Sequence, residues 1–376
     1  MKKNSTSNVI KFAGAYIAYI IGSGFATGQE IIQFYTSYGW VSIIGILISM
    51  FLFAWVGRTV MVNGFHHKSE KSGNEYQTYC GKYLGKFYEV FVPFFLFCVV
   101  VIMISGAGAT LNEYYGLNYY VGSLLMAVLI YAAYVFGLKG VVNVIGFIGP
   151  VIIVFTLGVG LFTLFKNGLN LVPDAAAQAQ LAESQASGHW LVSGVLYAAY
   201  NVFGAIIFLT ALGKEADSKK EAARGGMLGG IVLMGATLIM NIAFLSKLGD
   251  VANLAIPTLY LADTISPLIG KLFSVVLICG IFSTAAPMTW TVCNKITAEG
   301  TKKSKLVAAV IVVAAFFCGQ LPFGTLVGII YPYTGYLGIL FMICLAGHEI
   351  KNRIRLKKVP VEQGGVIAAE PEAAEV

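Results

Sequence analysis

The stretch YIIGSGFATGQEIIQF, residues 19–34, decides how this chain is read. It lies inside a long apolar segment, yet it holds Gly22, Gly24 and Gly28, Ser23, Thr27, Gln29, Gln33 and Glu30. A segment built only to cross lipid has no use for such a cluster. Backbone polar groups in a bilayer must be satisfied internally, so a helix break at membrane depth is tolerated only where protein or a water-filled cavity receives it. Gly22-Ser23-Gly24 therefore marks a place where something other than lipid meets the helix.

The rest of the sequence supports a membrane setting. Of 376 residues, 57% are hydrophobic and 11% charged, against about 25% charged in a soluble domain. A spanning helix needs about 20 mostly apolar residues. Ten such runs are read, at 8–36, 38–62, 87–111, 119–138, 141–165, 190–213, 225–246, 269–294, 305–322 and 325–347. The first is long enough to need a bend or a break. Its basic start, Lys2, Lys3 and Lys11, imitates a signal peptide, but the apolar run is too long and more spans follow.

Lysine and arginine placement sets the orientation. With the N-terminus inside and the spans alternating, all of the 25 except Lys166, Lys247 and Lys271 fall on the cytoplasmic side. Both termini are then expected in the cytoplasm of a bacterial inner membrane. The net charge of +7 is a topology signal, and no basic patch on a soluble fold suggests nucleic acid. The six cysteines avoid the external loops, so no disulfide is expected. HEIKN at 348–352 lacks the second histidine of a zinc protease motif. No nucleophile–base or metal set assembles, so the expectation is that the chain is not an enzyme and holds no covalent cofactor.

The expected organisation is a first five-span unit at 1–165, an external loop at 166–189, a second unit at 190–348 and a disordered cytoplasmic tail at 349–376. The first unit includes a cytoplasmic loop at 63–86. A short external helix is expected near 257–267, bracketed by Pro257 and Pro267. The sixth span carries its own small and polar cluster, residues 201–204, about as deep as the first break but entered from the opposite side. Two odd-numbered halves with matching interruptions make a 5+5 inverted repeat. Paired interruptions at corresponding positions point to the binding site of a transporter. An alternative reading of each glycine alone is helix packing, since Gly24 and Gly28 form a small-xxx-small pair.

These motifs resemble the LeuT-fold transporters of the amino acid–polyamine–organocation superfamily. GSGFATGQE, YAAYNVFG and FSTAAP together look most like the bacterial YkvI-like membrane proteins. The resemblance implies an all-α integral membrane fold of about ten helices, with helices 1 and 6 broken at the midplane. It implies that Ser23, Gly24 and Phe25, with Gly22 beside them in the substrate site, meet a substrate carboxylate through their amides. Asn201, Val202, Phe203 and Gly204 would surround the second break, with Tyr200 and Phe203 as walls of the pocket. A restarted helix does present free N–H groups and a partial positive end. The resemblance further implies a sodium site made by the carbonyls of Ala18, Ile21 and Gly280 with the hydroxyls of Ser283 and Thr284. A hard cation prefers such oxygen ligands. An alternative is that the two hydroxyls bond back to their own helix. Span 5 carries no charge, so the lysine that couples protons in some members has no counterpart.

The reading is then a sodium-coupled symporter of a small amino acid, or a related zwitterion or amine, working by alternating access in the lipid bilayer. Glu30 is an ionisable group within a span, which lipid exposure would penalise by about 3 kcal/mol. It is expected to gate or couple with Gln29, to carry a proton, or to pair with a cationic solute. Proton-coupled transport through Glu30, a non-transporting sensor and a channel remain the rival readings. Tyr331, Tyr333 and Tyr336 of span 10 are expected at an outer gate, and the sequence does not specify an oligomer.

Overall fold

The apolar runs become helices because a helix satisfies its own backbone in an apolar slab. The computed structural model describes residues 5–68, 75–136, 139–168, 174–298 and 300–358. The first span is made of three pieces: α1 (Ser5–Ile20), α2 (Ser23–Thr27) and α3 (Gln29–Phe34). Between α1 and α2 the backbone is extended at Gly22, with φ −110° and ψ −170°. Between α2 and α3, Gly28 sits at φ 90°, a left-handed conformation that favours glycine. A 3₁₀ turn at Thr36–Val41 leads into α4 (Ser42–His66).

The chain continues through α5 (Glu75–Tyr115), α6 (Tyr119–Phe136) and α7 (Lys139–Asn167). The short α8 (Ala175–Leu181) lies within the loop expected at 166–189, and α9 (Trp190–Glu215) and α10 (Lys219–Ser246) follow it. The short α11 (Leu248–Val251) and α12 (Pro257–Ile265) precede α13 (Pro267–Ile296), α14 (Lys302–Cys318) and α15 (Phe323–Lys358). Pro257 and Pro267 open α12 and α13, as their fixed φ suits a first helical turn. Among the described residues, eight helices are long and apolar enough to cross a membrane. The broken first span and the 17-residue α14 make up the ten expected runs. The six cysteines are free.

Three differences from the sequence reading stand out. The interruption expected in span 6 is absent, because α9 runs unbroken from Trp190 to Glu215. Asn201 turns its side-chain amide back to the Tyr197 carbonyl, 3.0 Å away, so it bonds along the helix instead of breaking it. The second concerns the tail expected at 349–376. α15 extends beyond residue 348 to Lys358, and residues 359–376 lie outside the described residues. Part of the loop expected at 63–86 is helical too. α5 begins at Glu75 and turns at Gly81, where φ is 73°.

Spans 1, 2, 6 and 7 form one bundle: α4 packs on both α9 and α10, and α1 on α10. Spans 3, 4, 8 and 9 form the other, with α5 against α6 and α13, and α14 against the same set. α7 touches both bundles, and α15 lies against α9 and α5. Glycine permits the closest approaches. A Cβ added at Gly57 of α4 would lie 2.6 Å from the Gly226 carbonyl of α10. Gly235, on the same α10, has no neighbour within 4 Å of that position.

This contrast makes a matched test. Gly226→Ala should destabilise the protein by about 1–3 kcal/mol through overpacking. Gly235→Ala should be neutral or stabilising by up to about 1 kcal/mol, from helix propensity. Thermal unfolding of both variants in one detergent reads the difference, and equal midpoints would contradict the packing described.

Candidate functional site

The break in span 1 releases backbone groups that α1 and α2 cannot use. The regular ladder at the end of α1 closes with Ile21 N–H on the Ile17 carbonyl, at 3.0 Å. Beyond it, the Ser23 N–H donates to the Met103 sulfur of α5, at 3.4 Å. The Ser23 hydroxyl is fully buried and has no partner. The Ile21 carbonyl lies 3.3 Å from the Thr284 hydroxyl of α13. That hydroxyl is also 3.1 Å from the Gly280 carbonyl, and the Ser283 hydroxyl donates to the same carbonyl at 2.8 Å.

Four of the five residues named for a cation therefore converge: Ile21, Gly280, Ser283 and Thr284. Ala18 is seen packing on α7. Its side chain lies against Gly149 of α7, where an added Cβ would strike it. The donor set is oxygen only, the chemistry a hard cation needs. Both hydroxyls also bond along their own helix, so each is pre-positioned by α13.

Glu30 folds back from α3 over the break. Its side chain occupies the space above Gly24, where an added Cβ would lie 2.6 Å from Cγ and Cδ. It faces the backbone amide of Phe25 and the hydroxyls of Tyr200 and Tyr197. Neither tyrosine hydroxyl completes a hydrogen bond of good geometry, although both rings are buried. Glu30 itself is 4% exposed. The residue that the sequence left with several roles thus sits at the centre of the site.

A small cavity of about 40 Å³ lies beside it. Gly22, Glu30, Tyr200, Asn201, Gly204 and Thr284 all line it. Phe203 does not. Its ring packs on Phe95, at 4.9 Å between centroids, and on Phe91 and Tyr88. Ser23, Gly24 and Phe25 flank the break without lining the cavity. Gln29 lies against Gly324 of α15, and Gln33 donates to the Gly324 carbonyl at 2.8 Å. Gln33 thus ties α3 to α15, and Gln29 packs against the same helix.

Several lining residues gave no distinctive sequence signal. Tyr19 donates to the Gly204 carbonyl at 3.1 Å and stacks on Phe208. Phe95, Leu96, Val99 and Met103 come from one face of α5, and Met288 from α13. Their helical spacing reads as ordinary core. Tyr331 of α15 stacks on Tyr200, with centroids 4.4 Å apart and planes 6° from parallel. Tyr333 and Tyr336, expected beside it at a gate, are 71% and 52% exposed and face outward. The SGAGATL glycines of α5 allow close contact: Gly106 meets Ser23 and Phe323, and Gly108 meets Ser123.

A helical chain whose first span breaks inside a bundle of spans 1, 2, 6 and 7 has the LeuT fold, and solved structures bear this out. A mutant of the Eremococcus coleocola manganese transporter superposes with a TM-score of 0.61 at 13% identity, covering 92% of this chain and 80% of that one. MhsT in complex with L-phenylalanine superposes with a TM-score of 0.55 at 14% identity, covering 89% and 87%. No family model matches the chain. In sequence it is similar to the uncharacterized membrane protein YkvI of Bacillus subtilis (strain 168), 28% identical over 355 residues, 93% of this chain and 99% of that protein. It is also similar to the uncharacterized protein YyaD of the same organism, 22% identical over 334 residues, 89% and 95% of the two chains. The resemblance to the YkvI-like membrane proteins, read from the motifs, is thereby borne out.

The contact between Gly24 and Glu30 is testable without any ligand. Gly24→Ala should lower thermal stability by about 1–3 kcal/mol. In a double-mutant cycle with Glu30→Ala, which removes the obstructing side chain, the two changes should cost at least about 0.5 kcal/mol less than their sum. Additive costs would mean that the two side chains do not compete for that space.

Proposed function

We propose that this chain is a secondary active transporter that carries a small amino acid or related amine-bearing solute together with sodium, by alternating access. The observation that carries the reading is the meeting of the Ile21 carbonyl with Thr284, beside a cavity at the break in span 1. An ion held there would join α1 to α13, and so one bundle to the other. A ligand that contacts both bundles shifts the balance between their relative positions, because it binds one arrangement better than the other. The LeuT fold itself supports a bilayer setting and a small-molecule substrate.

MhsT was solved with L-phenylalanine, and the Eremococcus protein is a manganese transporter. A transition metal as cargo has less support in this chain. Among the described residues no group of three or more His, Cys, Asp or Glu side chains is arranged to hold a metal ion, whereas such ions favour imidazole, thiolate or carboxylate ligands. The cavity offers hydroxyls, an amide, carbonyls, aromatic rings and one carboxylate.

Reconstituted protein should take up labelled solute from a broad amino acid and amine panel only with an inward sodium gradient. Thr284→Ala and Ser283→Ala should raise the sodium concentration for half-maximal response tenfold or more, while leaving the elution profile of the folded protein unchanged. Uptake indifferent to sodium across the panel would defeat this reading.

Proton coupling through Glu30 is the second reading, supported by a buried carboxylate that lines the cavity. Uptake driven by a pH gradient without sodium, and lost in Glu30→Gln, would favour it over sodium coupling.

A further inference from the structure

The cavity has an asymmetric charge inventory. Its lining contains Glu30 and no lysine, arginine or histidine. Two of the amides freed by the break are already engaged within the chain. Phe25 N–H faces the Glu30 carboxylate, and Ser23 N–H is directed at the Met103 sulfur. The seat that a substrate carboxylate would take at this break is therefore held by the protein's own carboxylate, pressed into the space above Gly24. A zwitterionic solute entering the cavity would bring its carboxylate beside Glu30, with no basic side chain in the lining to neutralise it.

The rest of the lining favours the opposite charge. Tyr19, Phe95, Tyr200 and Tyr331 contribute aromatic rings, and a desolvated cation gains from ring quadrupoles. The Tyr200 hydroxyl is buried without a hydrogen bond of good geometry, so it is free to accept from an ammonium. Asn201 and Thr284 add neutral polar groups. Leu96, Val99, Met103 and Met288 line the remainder and suit an apolar body.

We propose that the cavity takes a net-cationic small amine that lacks a carboxylate, with its ammonium against Glu30 and Tyr200. The inference rests on the transporter reading only for what happens after binding. It names the solute class within that reading: a decarboxylated or unacidic amine, as opposed to an amino acid.

Matched pairs test it: phenethylamine with L-phenylalanine, isoamylamine with L-leucine, and putrescine with L-ornithine. Binding of each to the purified full chain in lipid nanodiscs is measured by calorimetry, with and without sodium. At least one amine should bind tenfold or more tightly than its amino acid partner. Glu30→Gln should weaken that amine at least tenfold, while Glu30→Asp, which keeps the charge, should retain part of the affinity. An amino acid that binds as tightly as its amine, or a panel in which no amine binds, overturns the inference. So does a folded Glu30→Gln protein with wild-type amine affinity. The ranking in the unmodified chain decides the matter even where a variant fails to fold.

Counterflow of the bound solute in proteoliposomes separates the two readings. Amine binding without counterflow keeps the solute class and removes the transporter. Amino acid binding with counterflow keeps the transporter and removes the solute class.

Discussion

A polypeptide in lipid has to satisfy every backbone N–H and C=O from within, and the first span violates that rule on purpose at Gly22. The amide and carbonyl groups released there are met by neighbours from three directions. Met103 on α5 receives the Ser23 N–H, Thr284 on α13 reaches the Ile21 carbonyl, and Glu30 on α3 faces the Phe25 N–H. Spans 3 and 8 thus supply two of the partners that the break needs. The cavity is the space left between those partners, and its polar lining follows from the same requirement.

Much of this was legible in the chain itself, for identifiable reasons. The number of spans follows from apolar run length, because lipid thickness fixes helix length. The break in span 1 was visible because Gly22-Ser23-Gly24 and Gly28 combine low helix propensity with access to unusual backbone angles. The Ser283-Thr284 pair stood out because adjacent hydroxyls are conspicuous in an apolar helix. Its meeting with Ile21, more than two hundred residues away in sequence, is a tertiary fact that the motif resemblance suggested and local pattern did not.

Where the structure departs from the sequence pattern, the cause is equally physical. The 201–204 cluster has the composition of a break, yet α9 is continuous. Asn201 spends its amide on its own helix, and Gly204 lets the Phe95 ring approach. Small residues serve both interruption and packing in membrane helices, and composition does not separate the two. Phe95, Leu96, Val99 and Met103 were passed over for the reverse reason. An apolar face that lines a cavity has the same periodicity as one that fills a core. Tyr331 was grouped with Tyr333 and Tyr336 because they are near in sequence, whereas helical geometry turns the latter two outward.

The connection between the two halves of the chain carries a mechanical consequence. The segment between α8 and α9 is fastened to the end of span 1. Ala186 N–H donates to the Gln33 carbonyl at 3.1 Å, the Gln185 side-chain amide to the Ser37 carbonyl at 3.0 Å, and Tyr38 Oη to the Ser187 carbonyl. Ser193, in the first turn of α9, donates to the Phe34 carbonyl at 2.7 Å. A displacement of α3 therefore pulls directly on the start of α9, or else tears four hydrogen bonds at once. The linker works as a tether that holds the end of the first span to the start of the sixth, so the unbroken α9 begins from a point fixed to its broken partner.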